Sequence, residues 1–382
     1  MNIETMVFVC IYICVCIVAF DLLFVFKSHE SQWIMPKRIA TIRNLIHIQL
    51  LALRVTQDID YPTQRKLSRL LLKESYILAF MEVITQLREE NSQEINRYLY
   101  KSTSLFLHLS YQYQHKPSEN KAYFAYAISV LQLGKGHTED HIALAANLHC
   151  ISKNLMSFIV NDSVFVRENA FNAILSLGKH KKVLEALKII DQTPAHQNEK
   201  LICDDMLNFA GDSVDLSDSL WREFYSFHTT IQVAILNYFR LLPLYIVNQQ
   251  AYYAPLLQTL KSPKADKEVK LAILRYFRKH HYQEAYEELL SLLFHDSSHM
   301  WELAAVAATT LQAYPSETTT KALLHKMRSQ NWYVRFNSAE SLLHLGIDYE
   351  AYIMKSEDKY AREMLIYRSE IYKLKGKIKV MA

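Results

Sequence analysis

Hydrophobic positions change rhythm along this chain. An unbroken apolar run, Met6 to Phe26, gives way to residues recurring at helical spacing. Ile39, Ile42, Leu45, Ile46, Gln49, Leu50 and Leu53 fall on one stripe, which predicts an amphipathic helix started by Pro36. Leu67, Leu70, Leu71, Tyr76, Ile77, Phe80, Ile84 and Leu87 predict a second, started by Pro62. The same period continues through 93–114 and 119–134. The breaks are short and polar: Glu89-Glu90-Asn91-Ser92, the stretch 115–119, and Gly134-Lys135-Gly136. No Ser/Gly-rich linker divides the chain, so the pattern predicts an all-α protein without a clean boundary after the apolar run.

That run has 21 residues and one charge. As a helix it spans the roughly 30 Å of a bilayer's hydrocarbon core. Glu4 precedes it, no Lys or Arg does, and no small-residue cleavage site closes it, so a removed signal peptide is not the expectation. Lys27, Lys37, Arg38 and Arg43 follow the run. The basic flank predicts a single-pass membrane helix over 6–26, with a short outer N-terminus at 1–5 and a cytoplasmic body. Asp21, the one ionisable residue in the span, is a candidate site for pairing with another membrane helix. Its place near Lys27, at the end of the run, favours hydration at the interface.

Self-comparison shows a repeat. DSVFVRENAFNAILSLG from Asp162 matches NWYVRFNSAESLLHLG from Asn331 at Val-Arg, at an Asn two residues later, at a small residue next, and at a closing Leu-Gly. Weaker copies begin at Thr229, Asp266 and Ser297. Aligning Val166, Ile231, Val269, Trp301 and Val334 gives steps of 65, 38, 32 and 33. With the first step counted as two units, the period is about 33.6 residues, which is the length of a helical-hairpin repeat.

On Asp162, Val166-Arg167, Ala170 and Leu177-Gly178, and on Val334-Arg335, Ser338 and Leu345-Gly346, the chain resembles the HEAT-like repeat family. The likeness covers 160–346 in its motifs and 36–160 in pattern alone. Trp301-Glu302 stands where Val-Arg would be, and the copies near 201 and 231 lack the Asp. The resemblance implies a right-handed α-solenoid of helical hairpins. Divergent repeats would occupy 36–160, the array 161–350, and a C-terminal helix with a basic tail 351–382. Small residues such as Ala170, Ala272 and Ala304 would let hairpins approach closely, and an Asp or Asn before a helix would cap it. In such arrays the inner helices carry the binding surface. Arg167, Trp332 and Arg335 lie in or beside the motif and are candidate partner-binding residues, with repeat packing as their other role.

Composition narrows the chemistry. Six Gly and eight Pro in 382 residues are well below ordinary usage of about 7% and about 5%, which suits helices joined by short turns. The net charge of +4 comes from 43 basic and 39 acidic residues, less than DNA-binding stripes usually give. It is concentrated in the tail, where Arg368, Lys373, Lys375, Lys377 and Lys379 face only Glu370. The four lysines are candidate contacts to anionic lipid or an acidic partner. Five cysteines make neither a disulfide framework nor a metal motif. His137-Thr-Glu-Asp-His141 and His295-Asp-Ser-Ser-His299 read as solvated helix starts or loops, and Gly134-Lys135-Gly136 as a helix stop. His280-His281 reads as a helix end favoured by the dipole.

No catalytic, cofactor or metal constellation emerges. The expectation is a non-catalytic scaffold on the inner membrane face that holds a protein partner, itself a membrane protein or one attached to a membrane. A suitable setting is accessory to an envelope machine such as a polysaccharide synthase or transporter. Contact with the lipid bilayer is expected, and neither nucleic acid nor a small-molecule substrate is. Two alternatives are an enzyme of the HEAT-like lyase or glycosylase type, and a nucleic-acid-binding solenoid.

Overall fold

The computed structural model describes residues 3–133, 142–194, 197–243, 249–295, 300–347 and 358–381. The side chains of 3–7, 10, 11, 21–33, 142–144, 249, 250, 372 and 375–381 are not among them. Among the described residues every regular element is a helix. Two compact units form, one from Met1–Ala195 with Asn208–Gly211, the other from His196–Leu207 with Asp212–Ala382.

The first unit starts with α1 (Ile3–Thr56), a single helix that runs through Pro36 instead of beginning there. Then come α2 (Tyr61–Leu70), α3 (Glu74–Glu90), α4 (Ser92–Lys101) and α5 (Thr103–Gln114), and after them α6 (Ser118–Leu131), α7 (Ile142–Ile159), α8 (Val164–Ser176) and α9 (His180–Gln192). The stripe expected as one helix from Pro62 is thus two, and so is 93–114, which parts at the buried Ser102. The polar breaks at 89–92 and 115–119 mark helix junctions, but only Asn91 and residues 115–117 lie between helices; Asn91 caps α4 through its side chain. Successive helices α1, α3, α6 and α8 lie side by side as one layer, and α2, α5, α7 and α9 as another. Hydrogen bonds between helices fix the register: Tyr113 donates to Leu71 O (2.9 Å), and Asn154 Nδ2 to Ser110 Oγ (2.7 Å).

The second unit contains α10 (Glu199–Met206), α11 (Ser213–Glu223), α12 (Thr229–Leu241), α13 (Gln249–Lys261) and α14 (Lys267–Lys279). It continues with α15 (Tyr286–Phe294), α16 (Trp301–Leu311), α17 (Glu317–Lys326), α18 (Trp332–His344) and α19 (Lys359–Met381). Helices α10, α12, α14, α16, α18 and α19 stack in sequence order, with α13, α15 and α17 behind them. Each unit therefore has the layered stacking of an α-solenoid. Thr310 Oγ1 donates to Leu274 O (3.0 Å) and Ser341 Oγ to Ala308 O (2.8 Å). These contacts pair positions 36 and 33 residues apart, close to the spacing in the sequence.

The motif positions behave as packing logic requires. Val166, Ala170, Ala272, Ala304 and Val334 are buried. The closing Leu-Gly places Gly178 and Gly346 at φ +68° and +73°, the left-handed stop that glycine adopts at low cost. Asp266 and Asn331 cap α14 and α18 with their side chains. Asp162 does not cap α8: the N-cap is Ser163, and the carboxamide of Asn161 takes the Ser163 N–H instead (3.0 Å).

One expectation is overturned. Among the described residues no helix is long and apolar enough to cross a membrane. The single-pass span at 6–26, and the N-out, cytoplasmic-body placement built on it, are corrected. The described apolar residues of that run are Phe8, Val9 and 12–20, all exposed. Asp21 lies in α1, and its side chain is outside the described set.

Candidate functional site

The site is built at the start of α18. Asn331 Oδ1 accepts from the N–H groups of Tyr333 (2.9 Å) and Val334 (3.3 Å), which fixes where the helix begins. Val334 then turns inward against Ala304 and Ala305, with Trp301 packed over them. The small side chains of α16 let α18 come close enough for Asn337 Nδ2 to donate to Ala305 O (2.8 Å). With Val334 inside, helical geometry sends its neighbours outward. Trp332 and Tyr333 are about half exposed. Trp332 stacks on Phe336 at 4.8 Å between centroids, and Tyr333 on Trp301 at 5.0 Å.

Helix α19 closes the other side. Arg368, 6% exposed, lies 4.0 Å over the Phe336 ring and forms an ion pair with Glu340 at 2.6 Å. Arg335 donates from Nε to Ser329 O and holds its guanidinium 5.3 Å over Tyr360. Between the helices a cleft of about 560 Å³ remains, lined by Gln330, Trp332, Arg335, Tyr360, Glu363, Met364 and Tyr367. Its aromatic rim stays open, with Tyr360 at 66% and Tyr367 at 49% exposure. A smaller cleft of about 350 Å³ opens in the first unit between α6 and α8, walled by Tyr123, Tyr126 and Phe165. Phe165 and Tyr333 each precede the buried Val of their repeat, so both are turned outward by the same packing.

Trp332 and Arg335, both candidates from the sequence, thus meet in one cleft. Arg167 lies in the first unit, 5% exposed, and donates Nη1 to Asn161 O (2.8 Å) and Asp162 O (2.9 Å). Lys373 is an exposed residue of α19; the side chains of Lys375, Lys377 and Lys379 lie outside the described residues. So do 137–141, Gly134-Lys135-Gly136 and His299. Sequence reasoning misses Tyr360, Met364 and Tyr367, although their i, i+4, i+7 spacing marks one face of the last helix.

Chemically the cleft offers aromatic faces, one guanidinium and one carboxylate, an arrangement suited to binding side chains. Among the described residues no three His, Cys, Asp or Glu side chains gather to hold a metal. Burial pushes the Cys203 thiol up to about 11, with Asp204 adding to the shift. At neutral pH it is a protonated, packed group instead of a nucleophile.

His280 closes α14, its N–H bonded to Tyr276 O (2.9 Å) and its ring 4.5 Å from that of Tyr276. It is 1% exposed; burial first, then Lys279, hold its pKa below the usual 6.5, against an opposing pull from the Phe239 and Arg240 backbone. At neutral pH this favours the uncharged ring in the folded chain, so His280 ends α14 as the sequence suggests but without the charge that the dipole would reward. The unfolded chain binds a proton as pH falls through about 6.5, and the folded chain binds it only at lower pH. Stability should therefore fall with pH below about 6.5. Thermal melts of wild type and His280→Phe from about pH 7.5 to about pH 5 should show a shallower decline for the variant.

No known protein family matches the chain, and no curated protein matches it.

Proposed function

We propose that the protein is a non-catalytic helical-repeat scaffold, related to HEAT-like arrays, that holds a polypeptide partner in the α18–α19 cleft. The observation carrying this reading is the exposure of Trp332, Tyr360 and Tyr367 around one cavity flanked by Arg335 and Glu363. Large aromatics and arginine dominate binding energy at protein interfaces, and water-exposed rings in a cleft are available for that use. They cost the free chain little, since Trp332 keeps a stacking contact with Phe336 on one side. The cleft also has an opposed pair of charges, which can fix the direction of a bound segment.

The test is Trp332→Ala. Because the ring is half exposed, the change should lower stability by less than about 1 kcal/mol. A partner recovered with the wild-type chain should bind the variant at least about tenfold more weakly, as expected for an aromatic anchor. Undiminished binding by a folded Trp332→Ala chain would remove the cleft from the interface. Substrate turnover by the purified chain would overturn the scaffold reading.

A further inference from the structure

Outside the lining of the aromatic cleft, the second unit carries a group of arginines without ion pairs among the described residues. Residues 234–240 read AILNYFR and residues 272–278 read AILRYFR, 38 positions apart. Ile235, Leu236, Tyr238 and Phe239 are buried, as are Ile273, Leu274, Tyr276 and Phe277. The two helices are neighbours in one layer. Burial of the same four positions in each turns the fourth and seventh residues to the open side. Arg240 on α12 and Arg278 on α14 therefore hold equivalent places, with Arg275 one turn before Arg278 on the same face.

Arg275 and Arg278 are exposed and Arg240 is partly so, its Nε enclosed without a hydrogen-bond partner. Arg278 donates from Nε and Nη2 to the side-chain oxygen of Gln312. None of the three guanidiniums has an ion pair among the described residues. Burial, first, holds both Arg275 and Arg278 below the usual arginine range; Glu268 for Arg275 and Glu340 for Arg278 oppose it, and Arg240 acts on each in the lowering direction by less than that carboxylate. Like charges therefore act on one another here. The carboxylates in range are Glu199 and Glu268 for Arg275 and Glu340 for Arg278. Glu340 is already bound to Arg368 at 2.6 Å.

We propose that Arg240, Arg275 and Arg278 form an oxyanion-binding surface that receives a short, carboxylate-rich segment of the polypeptide partner. The inference rests on the polypeptide-partner reading above and adds a second anchor, separate from the aromatic cleft. Guanidinium forks match carboxylates in paired hydrogen bonds, and none of these three is already held in an ion pair among the described residues. Charge decides the kind of partner. Only three cations are grouped, with Glu199, Glu268 and Glu340 around them. Three guanidiniums match the few carboxylates of a short acidic stretch, whereas a nucleic acid, with charge along its whole backbone, calls for a longer run of cations.

Fluorescence anisotropy of the full chain with three labelled probes tests this: a Glu/Asp-rich peptide, a Lys-rich peptide of equal length, and a single-stranded RNA. The acidic peptide should bind wild type, weaken as salt rises from about 50 to about 300 mM, and bind Arg275→Gln/Arg278→Gln at least about tenfold more weakly. Both changes are at exposed positions, so the double variant keeps the test valid even where Arg240→Gln disturbs folding. Equal binding of the acidic peptide to wild type and variant, no binding to wild type, or tighter binding of the RNA would each overturn the proposal. Trp332→Ala separates the two readings: it should leave acidic-peptide binding intact while it weakens capture of the whole partner.

Discussion

Phe277→Ala is expected to lower the unfolding free energy by about 3–5 kcal/mol, the range for emptying a fully buried aromatic site. Phe277 is 0% exposed in α14. Its ring lies 6.2, 6.0 and 5.9 Å from those of Tyr253, Tyr276 and Tyr282. Tyr314 also donates to its carbonyl at 3.3 Å, so side chain and backbone both join α14 to the next repeat. Three of the four tryptophans, Trp221, Trp301 and Trp332, belong to the second unit. Denaturant unfolding monitored by tryptophan fluorescence should therefore shift its midpoint more than the same titration monitored by helical circular dichroism, which reports both units. A stacked array transmits loss mainly to neighbouring repeats, which is the reason to expect two separate responses. A loss below about 1 kcal/mol would contradict the packing described for this helix.

How much of the fold is legible in the sequence depends on the range of each interaction. Local rules work where a residue answers to its own helix. Val166, Val334 and the small residues at 170, 272 and 304 are buried where the repeat places them, and Gly178 and Gly346 take the left-handed turn that Leu-Gly announces. Asp266 and Asn331 cap their helices for the same reason. Helix limits are less legible. Pro36 reads as a start because proline lacks an N–H, yet α1 continues through it, and the stripe after Pro62 hides the break between Leu70 and Glu74. The apolar run at the N-terminus reads as a span on length and hydropathy alone, and the described residues do not bear the span out.

The cleft is half legible. Trp332 and Arg335 emerge through the repeat motif, but the opposing wall comes from α19, where the lysines at 373–379 draw attention to charge. Tyr360, Met364 and Tyr367 form a stripe that is plain once α19 is known to lie on α18 through Arg368, Phe336 and Glu340. That contact joins residues about 30 apart in a stretch without a repeat copy, and no local period encodes it.

Arg167→Met is the second substitution expected to have a large effect, and its contrast with Arg335→Met separates packing from binding. Both arginines come directly after the buried Val of their repeat, and both donate to the carbonyl six residues earlier, Asn161 O and Ser329 O. The shared role is to tie the preceding loop to the helix. Their surroundings differ. Arg167 is 5% exposed and makes a second bond, to Asp162 O at 2.9 Å. Methionine there keeps the apolar stem but leaves two carbonyls without their charged donor, a loss of about 2–3 kcal/mol. Arg335 is only partly buried, with its other contact a cation over Tyr360 at 5.3 Å. Arg335→Met should therefore cost about 1 kcal/mol of stability. At 25 °C, where both variants are folded, the order should reverse for partner capture. Arg335→Met removes the guanidinium from the cleft and should weaken binding several-fold, whereas Arg167→Met should bind as wild type. Equal destabilisation by the two, with no difference in capture, would make Arg335 a packing residue alone and leave Trp332, Tyr360 and Tyr367 to carry the cleft.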